Sequence, residues 1–313
     1  MSPSSGPIVV VGSVTMDMVS RAPEIPRVGQ TVIGTSFQTT PGGKGANQAV
    51  AAARLGYPVR MIGMVGDDVY GPALLRNLAE AGVDTAQMGL AHGSSGLAPI
   101  FLSAAGENSI IVIPGANGHV TPAFVDEHRE VLATAGLVLC QLELPMATLN
   151  HTLAVCAELG VPVMLDPAPA AELENAVWGR VAWFTPNETE ASFYLKDGAD
   201  AAEAAQELLE RGLGGVVLKR GAEGAYVAGS GGEARLVPGF AVDAIDTVGA
   251  GDCFNGAFAV ALLEGRDPWE AARFANAAAA LSVTRSGAQA AMPTRQQVEA
   301  LLAGEIVRSS ASD

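Results

Sequence analysis

The alternation of short β-branched runs with longer helical segments is the feature that most constrains the fold. Residues 8–12 read IVVVG, a buried-strand pattern, and residues 45–55 are an alanine-rich helical segment that ends at Gly56. The same order continues, with strands predicted at 59–65, 137–142, 161–166, 183–185 and 216–219, and helices at 72–81, 147–159, 188–195, 201–211, 251–263, 269–283 and 294–302. This alternation predicts an α/β fold with a mainly parallel central sheet flanked by helices on both faces.

Two segments interrupt this alternation. Residues 30–40 and 97–113 mix β-branched and polar residues in a way that predicts half-exposed antiparallel strands. We therefore expect a small second sheet drawn from about residues 14–41 and 97–113. Because the chain has no internal repeat and no linker rich in Pro, Gly or Ser, we predict one domain over residues 1–313, with a flexible tail at 304–313.

Composition and charge limit the function classes. Of the 313 residues, 49% are hydrophobic and 16% charged, which is enough apolar material for a large core. No apolar run reaches the roughly 18–20 residues of a membrane span, and the first residues lack a signal peptide's basic region, so we expect a cytoplasmic protein. The net charge of −15 disfavours nucleic acid and anionic membranes as partners. The three cysteines and four histidines show no metal-ligand spacing.

Residues 246–256, DTVGAGDCFNG, form the segment with the most specific chemistry. Gly249, Ala250 and Gly251 leave the backbone N–H groups uncovered at the start of a predicted helix, which makes an anion hole for phosphate charge. Asp252, in the first helical turn, is placed to take the proton from an attacking hydroxyl. The alternative is a tight turn in which Asp252 only favours the helix N-terminus.

Residues 41–47, PGGKGAN, form a second candidate site. Gly42 and Gly43 allow close backbone approach, and Lys44 and Asn47 offer directional donors to hydroxyl groups. The segment does not match a phosphate-binding Walker A loop, and no G-x-G-x-x-G follows a strand, so a dinucleotide site has no support. The alternative is a glycine hinge with a solvated lysine.

Polar residues follow several predicted strands, and ligands of such sheets bind at the carboxyl ends of the strands. Asp17 and Glu143 each suit a grip on sugar hydroxyls. Asn187 and Glu190 fit either a helix capping box or a site in which Asn187 approaches phosphates and Glu190 holds Mg²⁺ through water. Residues 219–224, KRGAEG, are typical of a nucleotide-binding loop.

In this order, the motifs resemble the ribokinase-like, or PfkB, family of carbohydrate and nucleoside kinases from residue 9 to about residue 293. Residues 42–47 and 246–252 are the most specific. The segments GGKGANQ, DPAPA, NETE and VTRSGAQ resemble the members that phosphorylate D-ribose. The resemblance implies ATP-dependent phosphorylation of D-ribose at the 5-hydroxyl, with Mg²⁺ and K⁺ as cofactors. It also implies that the small sheet is a lid over the sugar and a homodimer interface.

The resemblance also implies a role for individual residues. The residues that would bind the sugar are Thr15, Asp17, Gly42, Gly43, Lys44, Asn47 and Glu143. Asp252 would be the base, and Gly249, Ala250 and Gly251 would form the anion hole. ATP binding falls to Asn187, Lys219, Arg220, Gly221, Ala222, Glu223, Gly224, Gly251 and Asn276. The K⁺ site falls to Asp246, Val248, Ser282, Arg285, Gly287 and Ala291.

Three departures from the family pattern leave alternatives open. Ala291 stands where a serine often completes the cation site, Thr15 where many bacterial members have Asn, and Asp166 where they have Asn. Because Thr15 weakens one contact to the sugar, deoxyribose, a hexose and a nucleoside are the alternative acceptors. The aromatic content of 5% disfavours a nucleoside, which needs a stacking surface. A non-catalytic sugar sensor is a further alternative, and the intact Gly-Ala-Gly-Asp segment argues against it.

Overall fold

A computed structural model describes residues 6–195 and 200–305. The strands are β1 (Ile8–Val11), β2 (Thr15–Ala22), β3 (Ser36–Gly42), β4 (Val59–Gly66), β5 (Val83–Asp84), β6 (Met88–Ala91), β7 (Gly96–Ser103), β8 (Asn108–Ile110), β9 (Leu137–Cys140), β10 (Val163–Leu165), β11 (Trp183–Phe184), β12 (Gly215–Lys219), β13 (Gly224–Gly229) and β14 (Ala234–Pro238). The helices are α1 (Lys44–Arg54), α2 (Gly71–Glu80), α3 (Pro122–Glu127), α4 (Arg129–Ala133), α5 (Met146–Leu159), α6 (Asn175–Trp178), α7 (Glu188–Tyr194), α8 (Ala201–Glu210), α9 (Ala250–Leu263), α10 (Pro268–Ser282) and α11 (Arg295–Leu302).

The central sheet has ten strands in the described part of the chain. Its order is β14-β13-β12-β11-β10-β9-β1-β4-β5, with β6 also paired to β4. Pairing is parallel from β12 through β5, whereas β13 and β14 add an antiparallel edge. The expected mainly parallel sheet is confirmed. The antiparallel edge was not predicted, because no strand was assigned between residues 219 and 251.

Both faces of the central sheet are covered. Ile8 and Val10 of β1 belong to one buried apolar cluster, and Val9 and Val11 belong to a second cluster. Successive side chains of a strand point to opposite faces, so the two clusters lie on opposite sides of the sheet. This explains why β1 is apolar at every position, as a central parallel strand requires.

Helices α1 and α9 pack against each other in the first cluster, with α10 beside α9. A side chain at Gly256 of α9 would lie 2.7 Å from the backbone oxygen of Gln48 in α1. Gly45 approaches the loop after β1 just as closely, since its Cβ would lie 2.6 Å from the Cα of Gly12. Glycine and alanine at these contacts bring the N-terminal turn of α1 against the end of β1 and against α9.

The second sheet has the order β3-β2-β7-β8 and stands apart from the central one. The prediction of purely antiparallel strands was wrong, because β2 and β7 pair in parallel. The predicted segment 30–40 was also displaced, since β3 begins at Ser36, and the segment 97–113 is broken into β7 and β8. Alternation of polar and β-branched residues indicates a half-exposed strand, but it carries no information on the direction of the partner.

Helix α11 ends at Leu302, and residues 306–313 of the predicted tail lie outside the described residues. Across 6–195 and 200–305, no helix combines the length and the apolarity that a membrane crossing requires. The organisation of 1–313 as one domain stays a prediction.

Candidate active site

A cavity of about 780 Å³ opens at the carboxyl ends of the central strands. Its polar end is lined by Lys44, Asp166, Lys219, Gly251 and Asp252. Its apolar end is lined by Phe240, Ala241, Val242, Ala244, Ala279, Ala280 and Val283. Polar residues that follow β10, β11 and β12 are thus gathered at one edge of the sheet, as parallel pairing requires.

Asp252 lies in the first turn of α9, and its side chain is almost fully buried, at 6% exposure. One carboxylate oxygen, Oδ2, accepts a hydrogen bond of 2.9 Å from Nδ2 of Asn47, and Oδ1 accepts one of 3.1 Å from Nε2 of Gln48. Burial raises the pKa of Asp252 to about 6, an effect that nearby Lys44 opposes. The group is therefore a base that is ionised at neutral pH and titrates just below it.

Lys44 is the first residue of α1 and faces an acidic environment. Burial alone would lower its pKa, but four carboxylates raise the pKa above its usual value. These carboxylates belong to Asp252, Asp166, Glu143 and Glu190. Lys44 consequently stays a cation between the predicted sugar residues and the cavity.

The other residues predicted to bind the sugar adjoin Lys44 and Asp252 without lining the cavity. Oε2 of Glu143 accepts hydrogen bonds from the Ser13 hydroxyl and, at 2.9 Å, from the backbone N–H of Lys44. Oδ1 of Asp17 accepts a hydrogen bond of 2.9 Å from the Thr15 hydroxyl. Burial raises the pKa of Asp17 to about 6, with the Thr15 bond lowering it and Glu143 raising it further.

Gly42 and Gly43 leave no room for side chains. A Cβ at Gly42 would lie 2.3 Å from Oδ2 of Asp17. Gly43 has a φ of 90°, and its Cβ would lie 2.9 Å from the backbone nitrogen of Thr15. The glycines therefore let β3 and the start of α1 close around the Asp17 carboxylate.

The predicted anion hole is built from backbone alone. Gly249, with a φ of 76°, is the N-cap of α9, and no described side chain caps the helix. A Cβ on Gly249 would lie 2.9 Å from Cβ of Ala288, so this turn packs directly on the segment before α11. The N–H of Ala250 donates to the backbone oxygen of Thr247 at 3.2 Å, whereas the next N–H groups of α9, those of Gly251 and Asp252, have no described partner and remain available for an anion.

Lys219 lies beside this turn. A Cβ on Gly251 would be 3.4 Å from Nζ of Lys219, and the same Nζ is 3.0 Å from Oδ1 of Asp166. Both side chains of this ion pair are largely buried, with exposures of 12% and 3%. A second cation therefore stands at the polar end of the cavity, opposite Lys44.

Asn187 and Glu190 form the capping box that was one of the two interpretations of this motif. Oδ1 of Asn187 accepts from the backbone N–H of Glu190, and the Glu190 carboxylate accepts from the backbone N–H of Asn187. Both residues also line the cavity, so the two interpretations are compatible. Burial raises the pKa of Glu190, Lys219 opposes this, and Asp166 adds to it.

The predicted nucleotide loop contributes only part of its residues. Lys219, Gly221, Ala222 and Gly224 line the cavity. Arg220 and Glu223 are not among the described lining residues, since they pair with each other at 2.9 Å. The assignment of all six residues to the nucleotide stays a prediction. Asn276 lines the cavity, but its Nδ2 donates to the backbone oxygens of Val237 and Pro238.

Most of the residues predicted to hold K⁺ lie in two loops joined by Asp246, whereas Ser282 is the last residue of α10. Its Oδ1 accepts a hydrogen bond of 3.0 Å from the Val248 N–H, and its Oδ2 accepts one of 2.9 Å from the Gly287 N–H. The Ser282 hydroxyl donates within its own helix, Arg285 is exposed, and Ala291 is buried without a side-chain oxygen. Among the residues with a described position, no cluster of three His, Cys, Asp or Glu side chains could hold a metal.

Two buried amides of the site were not predicted from the sequence. Nε2 of Gln48 lies within hydrogen-bond distance of both Asp166 and Asp252. Nε2 of Gln289 donates to Oδ1 of Asn47 at 3.0 Å. The available signal was a glutamine inside an alanine-rich helix, directly after Asn47, where a purely apolar face would otherwise be expected.

Comparison with known proteins agrees with this geometry. The family described as pfkB family carbohydrate kinase matches residues 6–295. A ribokinase of Bacillus subtilis (strain 168) is 47% identical over 300 residues, covering 94% of this chain and 99% of the relative. A deoxyribokinase of Salmonella typhi is 37% identical over 296 residues, covering 93% and 96%.

Solved structures point the same way. The structure of Arabidopsis thaliana ribokinase complexed with ribose and ATP superposes with a TM-score of 0.89 at 34% identity, covering 95% of this chain and 98% of the other. Ribokinase from Thermotoga maritima gives a TM-score of 0.87 at 37% identity, with coverages of 95% and 99%. The resemblance inferred from the motifs is confirmed, and the chain belongs to the pfkB family of carbohydrate kinases.

Proposed function

We propose that this chain transfers the γ-phosphoryl group of ATP to the 5-hydroxyl of D-ribose, giving ADP and D-ribose 5-phosphate. The observation that carries the proposal is the buried Asp252 carboxylate at the uncapped start of α9, between a carboxylate-rich cluster and a cavity with two cations. The similarity to ribokinases, including one solved with ribose and ATP, supports this acceptor and donor.

The sugar binds to side chains on the Lys44 side of Asp252. The carboxylates of Asp17 and Glu143 accept hydrogen bonds from vicinal hydroxyls, and Lys44 and Asn47 donate to hydroxyl oxygens. The 5-hydroxyl lies against Asp252, which accepts its proton as the oxygen attacks the γ-phosphorus. Because the pKa of Asp252 is about 6, the carboxylate is ionised at neutral pH and still basic enough to assist the attack.

ATP occupies the cavity with its phosphates at the polar end. The backbone N–H groups at 249–251 and the ammonium of Lys219 stabilise the charge on the transferred group. The purine fits the apolar end, where Phe240, Ala279 and Val283 line the wall. The net charge of −15 is compatible with this polyanion, because the two cations and the helix N-terminus act locally.

Mg²⁺ fits the residues near the phosphates. Glu190 presents a carboxylate to the cavity, and Mg²⁺ prefers oxygen ligands with several retained waters. When bound with ATP, Mg²⁺ neutralises phosphate charge. Glu190, fixed by its capping box with Asn187, would hold that ion through water.

A monovalent cation such as K⁺ fits the two loops that Asp246 joins. Backbone carbonyl oxygens are the usual ligands of K⁺, and the segments around Val248 and Gly287 are tied together by the two Asp246 hydrogen bonds. Ala291 supplies no side-chain oxygen. The loop beside Ala288, which packs on Gly249, is the part of the chain that such an ion would stabilise.

The small sheet is proposed as a lid over the sugar and as a homodimer interface. Asp17 lies in β2 and contacts the site directly, so movement of this sheet would open or cover the sugar residues. The sheet and its loops expose apolar side chains, namely Val28, Ile33, Phe37, Ile110, Ile111 and Val112. Exposed apolar side chains gathered on one small sheet and its loops favour association with a second copy.

Deoxyribose is the second candidate acceptor. The Salmonella typhi relative at 37% identity is a deoxyribokinase, which supports phosphorylation of deoxyribose as the alternative activity. The Thr15 hydroxyl donates its one proton to Asp17. Thr15 therefore has fewer hydrogen bonds to offer the sugar than an asparagine at this position would have.

The deciding experiment measures ADP release with Mg²⁺ and ATP across D-ribose, 2-deoxy-D-ribose, D-fructose and adenosine. Each reaction is run with K⁺ and with tetramethylammonium in its place. Turnover that is fastest on ribose and falls without K⁺ supports the proposal. Faster turnover on deoxyribose replaces the acceptor but keeps the mechanism, and no turnover on any acceptor overturns the kinase proposal.

A further inference from the structure

Gln48 is a fully buried amide at the centre of the site, with 1% of its side chain exposed. It lies one turn into α1, directly after Asn47. Its Nε2 donates to Oδ1 of Asp252 at 3.1 Å and to Oδ2 of Asp166 at 2.9 Å. Its Oε1 accepts from Nε2 of Gln141 at 2.8 Å. Both amide protons and the acceptor are used, which fixes the orientation of the amide.

Two successive residues of α1 hold the two oxygens of Asp252. Asn47 donates to Oδ2 and Gln48 donates to Oδ1. Because each oxygen has its own donor, on a helix that packs against α9, rotation of the carboxylate about its side-chain bond is restricted. Donors to a carboxylate also favour its ionised form over its protonated form.

The charges around Asp252 make this contact important. Lys44 of α1 and Asp166 after β10 face it most directly, and Cys253 adjoins it in α9. Further charged groups near Lys44 and Asp166 are Glu143 after β9, Glu190 of α7 and Lys219 of β12. The amide of Gln48 is the group that stands between the carboxylates of Asp166 and Asp252 and donates to both.

We propose that Gln48 is a positioning residue for phosphoryl transfer, which keeps Asp252 ionised and oriented toward the acceptor hydroxyl by separating it from Asp166. This inference rests on the proposed role of Asp252 as the base. Without the amide, two buried carboxylates share one region with no donor between them, and like charges at such distances favour protonation of one member. The Lys219 ion pair holds Asp166 on its far side, so Asp166 cannot turn away without breaking it.

The first test is Gln48→Met, which keeps the length of the side chain and removes its hydrogen bonds. A hydrogen bond to a charged group corresponds to a shift of about one to two pKa units, so the acidic limb of the kcat profile moves up by about that amount. At pH 7 kcat falls about twofold if the pKa of Asp252 rises by one unit and about tenfold if it rises by two, because the ionised fraction of Asp252 falls by these factors. KM for ATP stays within about threefold, because Gln48 does not line the cavity.

Thr152→Val is the matched control. Thr152 is also fully buried in a helix, α5, and its hydroxyl donates to the backbone oxygen of Thr148. The variant loses one buried hydrogen bond that lies away from Asp252. Its thermal stability should therefore fall, while the acidic limb of its kcat profile should match that of the unsubstituted protein. An equal displacement of the limb in both variants overturns the inference, because it shows a general packing effect.

A second variant guards against failure of Gln48→Met to fold. Gln48→Asn keeps a polar amide but withdraws it by one methylene, and it is expected to raise the same limb by a smaller amount. An acidic limb unchanged in both folded Gln48 variants overturns the positioning role.

A readout without substrate separates this inference from the proposed function. The carboxyl carbons of ¹³C-labelled aspartate are titrated by NMR in the free protein, with Asp252→Asn identifying the signal of Asp252. The pKa of Asp252 is expected to rise in Gln48→Asn and to stay unchanged in Thr152→Val. A protein inactive on ribose overturns the proposed acceptor and leaves this titration valid, whereas an unmoved pKa overturns the role of Gln48 whatever the acceptor.

Discussion

The sugar side and the nucleotide side of Asp252 are lined by different kinds of groups. On the sugar side, Asp17, Lys44 and Glu143 form a cluster of charged side chains held by hydrogen bonds from Thr15 and Ser13. On the nucleotide side, the wall is mostly backbone, glycine and alanine, with Lys219 as its cation. Selectivity on the first side therefore depends on side-chain chemistry, and binding on the second depends on backbone conformation. Substitutions on the two sides should therefore change different kinetic constants.

Asp252 stands between the two sides, and its replacement should have the largest effect. Asp252→Asn keeps the shape of the side chain and removes the proton acceptor, so kcat is expected to fall by about 10²–10⁴-fold. Binding of ribose, measured by calorimetry without ATP, should change little. Unchanged turnover would remove Asp252 from the role of base and leave the anion hole as the main catalytic feature.

On the nucleotide side, Gly249→Ala is expected to lower kcat by about 10²-fold. The residue has a φ of 76°, and its new Cβ would lie 2.9 Å from Cβ of Ala288, so the turn that presents the N–H groups must shift. Gly265→Ala is the matched control, since Gly265 has a φ of 83° and open space around its Cβ. Both variants lose backbone stability, and only the first should lose turnover. Equal kcat in both would show that the turn tolerates displacement.

The sequence predicted the parts of this comparison that depend on local pattern. Strands β1, β4, β9, β10, β11 and β12 and most of the helices follow from periodicity. The positions of Asp17, Lys44 and Asp252 follow from their place after a strand or at a helix start. Because parallel strands end at one edge, their convergence could be expected before the structure was examined.

The parts that sequence reasoning missed depend on long-range pairing. The parallel contact of β2 with β7 joins segments about 80 residues apart, and no local pattern encodes its direction. Gln48 reaches a partner 204 residues away. In the sequence it is one polar residue in an alanine-rich helix, and only the packing of α1 on α9 reveals that its amide faces two carboxylates.

A pair of substitutions should separate the two sides through their Michaelis constants. Asp17→Asn removes a charged acceptor from the sugar cluster and is expected to raise KM for ribose about tenfold while KM for ATP stays constant. Lys219→Met removes the cation beside the anion hole and should raise KM for ATP by a similar factor. Initial rates over a grid of both substrates test this. A rise of both constants in either variant would mean that the two sides are not independent.

The smallest expected effect is a pH dependence confined to the sugar side. Because burial raises the pKa of Asp17 to about 6, the carboxylate gains a proton as pH falls through 6 and loses a hydrogen-bond acceptor for the sugar. The affinity for ribose should therefore be constant well above pH 6 and about twofold weaker at pH 6 than at pH 8, since half of the Asp17 carboxylates are protonated at pH 6.

Asp252 titrates in the same range, so the measurement is best made by calorimetry on Asp252→Asn, in which Asp252 no longer contributes. Adding Asp17→Asn should give a weaker affinity that no longer varies between pH 6 and pH 8. A pH dependence that persists in this double variant would assign the titration to another group of the cluster, with Glu143 as the first to replace.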